Sequence, residues 1–194
     1  LAMSRVEGYR NFVTKLWNAA RFVLMNAPRG AADFAGKPSV LGAATLNFAE
    51  RWIRSRLAAA ITEARGALEA YRFNDFANVL YQFTWHEFCD WYLEITKLRV
   101  SGAEHGWVNA QAVLLQVFET SLRLMHPFIP FLTEELWQQL PHQGETIVRA
   151  PYPNVAHAWI DQESEQEMTF VMEVISALRT IRSSFKIPNS TKLR

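Results

Sequence analysis

A period of about 3.6 residues runs through nearly every stretch of this chain, while alternation in twos is almost absent. Such a sequence buries its apolar stripes by packing helix on helix. The stretch 9–25 shows the pattern most plainly. One side collects Phe12, Val13, Leu16, Ala19, Ala20, Val23 and Leu24. The other collects Arg10, Asn11, Thr14, Lys15, Asn18, Arg21 and Phe22, with no acid among them. A face built only to be wet gains from mixing both charge signs at i,i+4. Cations interleaved with amides and a ring suit an anionic polymer with flat bases. The alternative is a solvated face that lacks acids by chance, and this segment alone leaves both readings open.

The remaining periodic stretches follow in order. After a loop over 26–42, rich in proline and glycine and carrying Arg29 and Phe34, a second helix is expected over 47–71. Asn47 and Glu50 stand in capping-box spacing, and Ile53, Leu57, Ala60, Ile61, Ala64, Leu68 and Tyr71 form its stripe. A third is expected over 75–97, capped by Asn74 or Asp75, with Val79, Leu80, Phe83, Phe88, Trp91, Tyr92 and Ile95 inward. A fourth covers 109–125 and stops before Pro127; Thr133 should then cap a short helix reaching Leu140. Beyond Pro141 the segment 145–153 reads as extended, with Ile147 and Val148 as strand candidates. A last helix spans 165–185, with Ser164 and Glu167 in capping-box spacing and Met168, Val171, Ile175, Leu178, Ile181 and Phe185 as its stripe. Residues 191–194 read as the start of a strand. The expected architecture is all-α: a helical bundle over 1–141, then a linker, short strand and long helix over 142–194 that begin a small mixed α/β appendage.

The net charge of +1 hides opposed patches. Residues 1–30 hold five cations against Glu7, 131–167 hold seven acids against Arg149, and 179–194 hold five cations and no acid. Such a distribution fits localised recognition and not an indiscriminate nucleic-acid coat. With 49% hydrophobic residues and 25 aromatic ones the chain is globular rather than disordered. The single cysteine, Cys89, excludes an internal disulfide and any multi-cysteine zinc site, as fits a reducing compartment. No run of 18 apolar residues offers a membrane span, and the first residues do not read as a secretory signal. They read instead as a chain cut from a longer one.

No catalytic constellation stands out. The five histidines are scattered, and neither a glycine-rich phosphate loop nor a nucleophile elbow is present. His86 with Glu87 reads as a partly buried structural pair before an acid/base pair. Trp85, Trp91 and Tyr92 read as packing residues before a stacking platform, and Cys89 as a small packing residue. Asp90 and Glu94 are expected to pair with arginines of a neighbouring helix.

Four runs match a known pattern. Arg10-Asn11-Phe12 with Lys15-Leu16-Trp17-Asn18-Ala19 and Arg21-Phe22 resembles the opening helix of the anticodon-binding domain of valyl-tRNA synthetases. Glu50-Arg51-Trp52-Ile53-Arg54-Ser55-Arg56-Leu57 resembles the start of that family's next helix. The run 83–94, beginning Phe83-Thr84-Trp85-His86-Glu87-Phe88-Cys89-Asp90-Trp91, is similar to its most distinctive helical stretch. His126-Pro127-Phe128-Ile129-Pro130-Phe131-Leu132-Thr133-Glu134-Glu135-Leu136-Trp137 resembles a motif shared with isoleucyl and leucyl relatives.

The resemblance covers nearly the whole chain. It implies a helical bundle of the class I synthetase anticodon-binding type, lying in the cytoplasm and contacting the anticodon stem-loop of tRNA(Val). It implies a parent that joins valine to that tRNA with ATP and magnesium. Catalytic, editing and coiled-coil domains would lie outside this stretch, which would itself hold no cofactor, metal or catalytic residue. The tRNA contacts it implies are Arg10, Asn11, Lys15, Asn18 and Arg21, with Phe34 as a stacking ring. Two rival classes remain: a helical module binding another protein through the 9–25 face or the acidic 131–167 stretch, and a nucleotide-dependent enzyme in its own right.

Overall fold

The computed structural model describes residues 3–27, 46–100, 107–188 and 191. Among the described residues seven α-helices follow in chain order: α1 (Met3–Asn26), α2 (Phe48–Glu69), α3 (Phe73–Tyr81), α4 (Leu93–Val100), α5 (Trp107–Met125), α6 (Pro130–Gln139) and α7 (Gln162–Ser184). A π-helical segment, Gln82–Tyr92, joins α3 to α4 without a break, and single 3-10 turns form at Ile147–Arg149 and His157–Trp159. No strand occurs among the described residues.

Helix α2 is the axis of the bundle, touching α3, the π segment, α5 and α7. Its entry is the capping box expected from Asn47 and Glu50, with both reciprocal bonds made. Around it Ile53, Leu57, Ala58, Ile61 and Ala64 are completely buried, and the alanines let neighbouring helices approach closely. Its cations hold the later segments. Arg51 pairs with Asp161, Arg56 makes a forked bond to Glu87 and reaches Glu165, and Arg65 donates to the Pro153 carbonyl. Ile147 and Met168 enter the same core as α1, α2 and α5, so the chain after Pro141 packs onto the bundle.

Several helix ends differ from expectation for identifiable reasons. Tyr71 is not core but 80% exposed. It stands just past the end of α2 at a φ of 55°, its N–H bonded to Leu68 and that of Arg72 to Ala67. That is a Schellman ending with tyrosine where glycine is usual. Neither Asn74 nor Asp75 caps α3; Arg72 takes the cap position and makes no side-chain cap bond. Helix α6 begins at Pro130, whose fixed φ suits a first helical position, and Thr133 lies inside it. Helix α7 is capped by Asp161 rather than Ser164, the Asp161 carboxylate accepting from the Ser164 N–H. The expected strand at Ile147 and Val148 is a 3-10 turn, because the Glu134 carboxylate accepts from the Ile147 N–H and the Thr146 hydroxyl. Thr191 is not in a strand, and 192–194 lie outside the described residues.

On α7 only the first half of the expected stripe is covered. Met168 is fully buried, Val171 and Ile175 are half-buried, and Leu178, Ile181 and Phe185 are exposed. With Phe170 and Val174 the exposed three make a continuous apolar line.

Candidate nucleic-acid interface

Helix α1 packs on the π segment, α5 and α6 through Phe12, Leu16, Ala19, Ala20 and Val23. Its partners cover only that arc, so Val13 and Leu24, expected in the stripe, are exposed at its edge beside Trp17. The expected site residues fall on two further lines. Asn11, Lys15 and Asn18 stand at i, i+4 and i+7, with the half-buried Phe22 at i+11, and Lys15 of this line meets the π segment's edge. Arg10 and Arg21 lie roughly 100° further round and some 16 Å apart along the axis. Both arginines are exposed and form no ion pair with the described residues. Phe34 and Arg29 lie outside the described residues.

Lys15 is differently placed. Its ammonium pairs with Asp90 and stands 3.8 Å from the centroid of the Trp85 ring. That double contact depends on the π segment. Residues five apart in an α-helix diverge by roughly 140°, whereas i→i+5 bonding brings them near one face. Trp85 and Asp90 therefore both meet Lys15, and Tyr81 stacks on Trp85 at 5.5 Å between centroids with Phe12 beside them. Asp90 also lies 3.3 Å from His86 Nδ1.

Other expected roles change accordingly. His86 and Glu87 point to different partners: His86 is half-exposed beside Asp90, and Glu87 receives the Arg56 fork. Burial raises the Glu87 carboxyl above its ordinary value despite that pairing. Asp90 pairs with a lysine rather than an arginine, and Glu94 with Lys97 on its own helix. Trp85 and Trp91 are half-buried, Tyr92 is core, and burial pushes the Cys89 thiol up to about 12, as for an inert packing residue.

Much of the acidic 131–167 stretch is spent internally. Burial opposes the charge of Glu134, but bonds from Gln138, Thr146 and the Ile147 N–H outweigh it and hold its carboxyl below the usual range. Asp161 is held low chiefly by the Ser164 N–H, then by Arg51. Periodicity did not reveal the triad in which the buried Glu119 takes a forked bond from the half-buried Arg123 and accepts from Trp137 Nε1 at 2.9 Å. Its one trace in the sequence is the i,i+4 spacing of Glu119 and Arg123.

Among the described residues no group of three or more His, Cys, Asp or Glu side chains could hold a metal ion. A cavity of about 530 Å³ between Tyr9, Phe12, Tyr81 and Phe128 is lined mainly by apolar atoms. No helix of the described residues is long and apolar enough to cross a membrane.

A helical bundle with an outward-facing cationic and amide-bearing helix defines a class, and comparison with known proteins names it. Residues 50–194 match the anticodon-binding domain of tRNA ligase, and the chain belongs to that family. The match begins at α2; similarity to whole relatives extends over α1 as well. The chain is 44% identical over 184 residues to the valine–tRNA ligase of Carboxydothermus hydrogenoformans, covering 95% of this chain and 20% of that protein. To the valine–tRNA ligase of Geobacter sulfurreducens it is 45% identical over 198 residues, covering 100% of this chain and 22% of that protein. The Thermotoga maritima valine–tRNA ligase is 41% identical over 188 residues, or 97% and 21%. The chain thus spans about a fifth of the length of the curated relatives it matches.

Proposed function

We propose that this chain is the anticodon-binding portion of a cytoplasmic valine–tRNA ligase and that it holds the anticodon stem-loop of tRNA(Val) against α1. The observation that carries the reading is the face of α1. Arg10 and Arg21 are exposed without acidic partners among the described residues, with Asn11, Lys15 and Asn18 on the adjoining line. Phe34 is proposed to supply a further stacking ring. The parent joins valine to tRNA(Val) with ATP and magnesium on domains outside this stretch, and the bundle over 1–141 positions the RNA for it.

A salt titration tests the reading. Binding of an anticodon stem-loop through about three phosphate contacts gives a log–log slope of roughly −2 to −3. Binding that is absent, or flat in salt, refutes it. Valine-dependent pyrophosphate exchange by this chain alone would refute the assignment of chemistry elsewhere.

The apolar line on α7 supports a second contact, with protein. Phe170, Val174, Leu178, Ile181 and Phe185 suit packing against the parent's further domains, such as its coiled coil.

A further inference from the structure

The central cation of the α1 face is already neutralised. Lys15 pairs with Asp90, a half-exposed carboxylate on the very edge where RNA is to lie. A carboxylate there repels phosphate, and it is not needed to hold the helices together. Phe12, Leu16, Ala19, Ala20 and Val23 already bury that interface, and partly exposed ion pairs contribute little. The same carboxylate is a strong acceptor for the N–H groups on a base edge, and the ammonium beside it is a donor for the neighbouring ring nitrogen or carbonyl. Next to the pair Trp85 is half-buried under the Lys15 ammonium and the Tyr81 ring, and Tyr81 itself is exposed, a flat ring of the kind on which unpaired bases stack.

We propose that Asp90 and Lys15, beside Tyr81 and Trp85, form a base-reading site for one unpaired nucleotide of an RNA loop. Asp90 accepts from an N–H of the base's Watson–Crick edge, and Lys15 donates to the adjacent acceptor. The proposal rests on the tRNA-binding reading and divides its labour: Arg10 and Arg21 take phosphates, and the Lys15–Asp90 pair takes a base.

The sign of one substitution separates this from simple electrostatics. Removing a carboxylate from an RNA-binding face tightens binding when the carboxylate only repels; when it accepts from a base, binding weakens. With a fluorescent hairpin RNA carrying the valine anticodon loop, titrated against the 194-residue chain between 50 and 200 mM salt, Asp90→Ala is expected to weaken binding roughly tenfold with the salt slope unchanged. Hairpins made abasic at each loop position in turn then locate the base. One position should cost the unaltered chain roughly tenfold and cost Asp90→Ala less than twofold. Asp90→Leu, which keeps the size but has no acceptor, should lose the same coupling, and circular dichroism checks that both variants fold.

Tighter or unchanged binding by Asp90→Ala overturns the proposal, as does an equal abasic penalty in both proteins at every position. If Asp90→Ala does not fold, Asp90→Leu decides by the same two criteria. Loss of binding on Arg10→Glu/Arg21→Glu, together with tighter binding by Asp90→Ala, leaves the tRNA reading standing and removes base reading alone. A chain that binds no hairpin RNA removes both.

Discussion

Replacing Arg10 and Arg21 together by glutamate tests the α1 face most directly, because the structure fixes what the change leaves alone. Neither side chain forms an ion pair among the described residues, and both lie well away from the arc buried by Leu16, Ala20 and Val23. Exposed substitutions of this kind usually shift stability by no more than about 0.5 kcal/mol, so the thermal midpoint should stay within a few degrees. Each arginine that holds a phosphate of a single-stranded loop contributes roughly 0.7 to the log–log salt slope. Losing both should flatten the slope by about 1.4. At low salt each lost charge-assisted bond is worth about 1.5 kcal/mol, so affinity should fall by at least a hundredfold before the added repulsion. The assay is fluorescence anisotropy of the anticodon hairpin across 50–200 mM salt. Arg149→Glu serves as the control; this arginine lies in the acidic stretch, exposed at the end of a 3-10 turn. A double variant with the slope and affinity of the Arg149 control refutes the reasoning, since the phosphates would then lie elsewhere.

Stability at acid pH should depend on Asp161, whose folded carboxyl is held below its ordinary value; that stabilisation is present above the unfolded value near 3.8 and lost as pH falls through the lower folded value. Asp161→Asn keeps a capping side chain but removes the titration, so urea midpoints should fall less steeply below about pH 4 than in the unaltered chain. Cys89 should resist a thiol reagent at pH 8 in the native protein and react at once in denaturant, because the thiol is buried with its titration pushed up to about 12. Lys186, just past α7 at a φ of 52°, should tolerate replacement by glycine with a gain of up to about 1 kcal/mol in urea unfolding, since only glycine enters that conformation without steric cost. A destabilised Lys186→Gly would show that the side chain makes a contact outweighing the backbone strain.

What the sequence disclosed and what it withheld divide along one physical line. Patterns carried by a single helix with a regular period were legible: the α2 capping box, the stop before Pro127, and the buried Leu16, Ala19, Ala20 and Val23. Features set by a neighbour were not. Val13 and Leu24 carry the same apolar signal as Leu16, and only the width of the arc covered by α5, α6 and the π segment leaves them out. Ile147 and Val148 have strand-forming side chains, yet one carboxylate reaching from α6 turns their backbone into a 3-10 turn. The π segment is the sharpest case. A wheel drawn at 100° per residue sends Trp85 and Asp90 to different faces, so neither could be linked to Lys15 in advance. Five-residue bonding puts both under one ammonium, and a carboxylate thereby enters a face that the sequence described as free of acids. The acid-free face belongs to α1 alone. The surface met by a ligand there is shared between two helices, and its charge pattern follows from the altered helical period of the second.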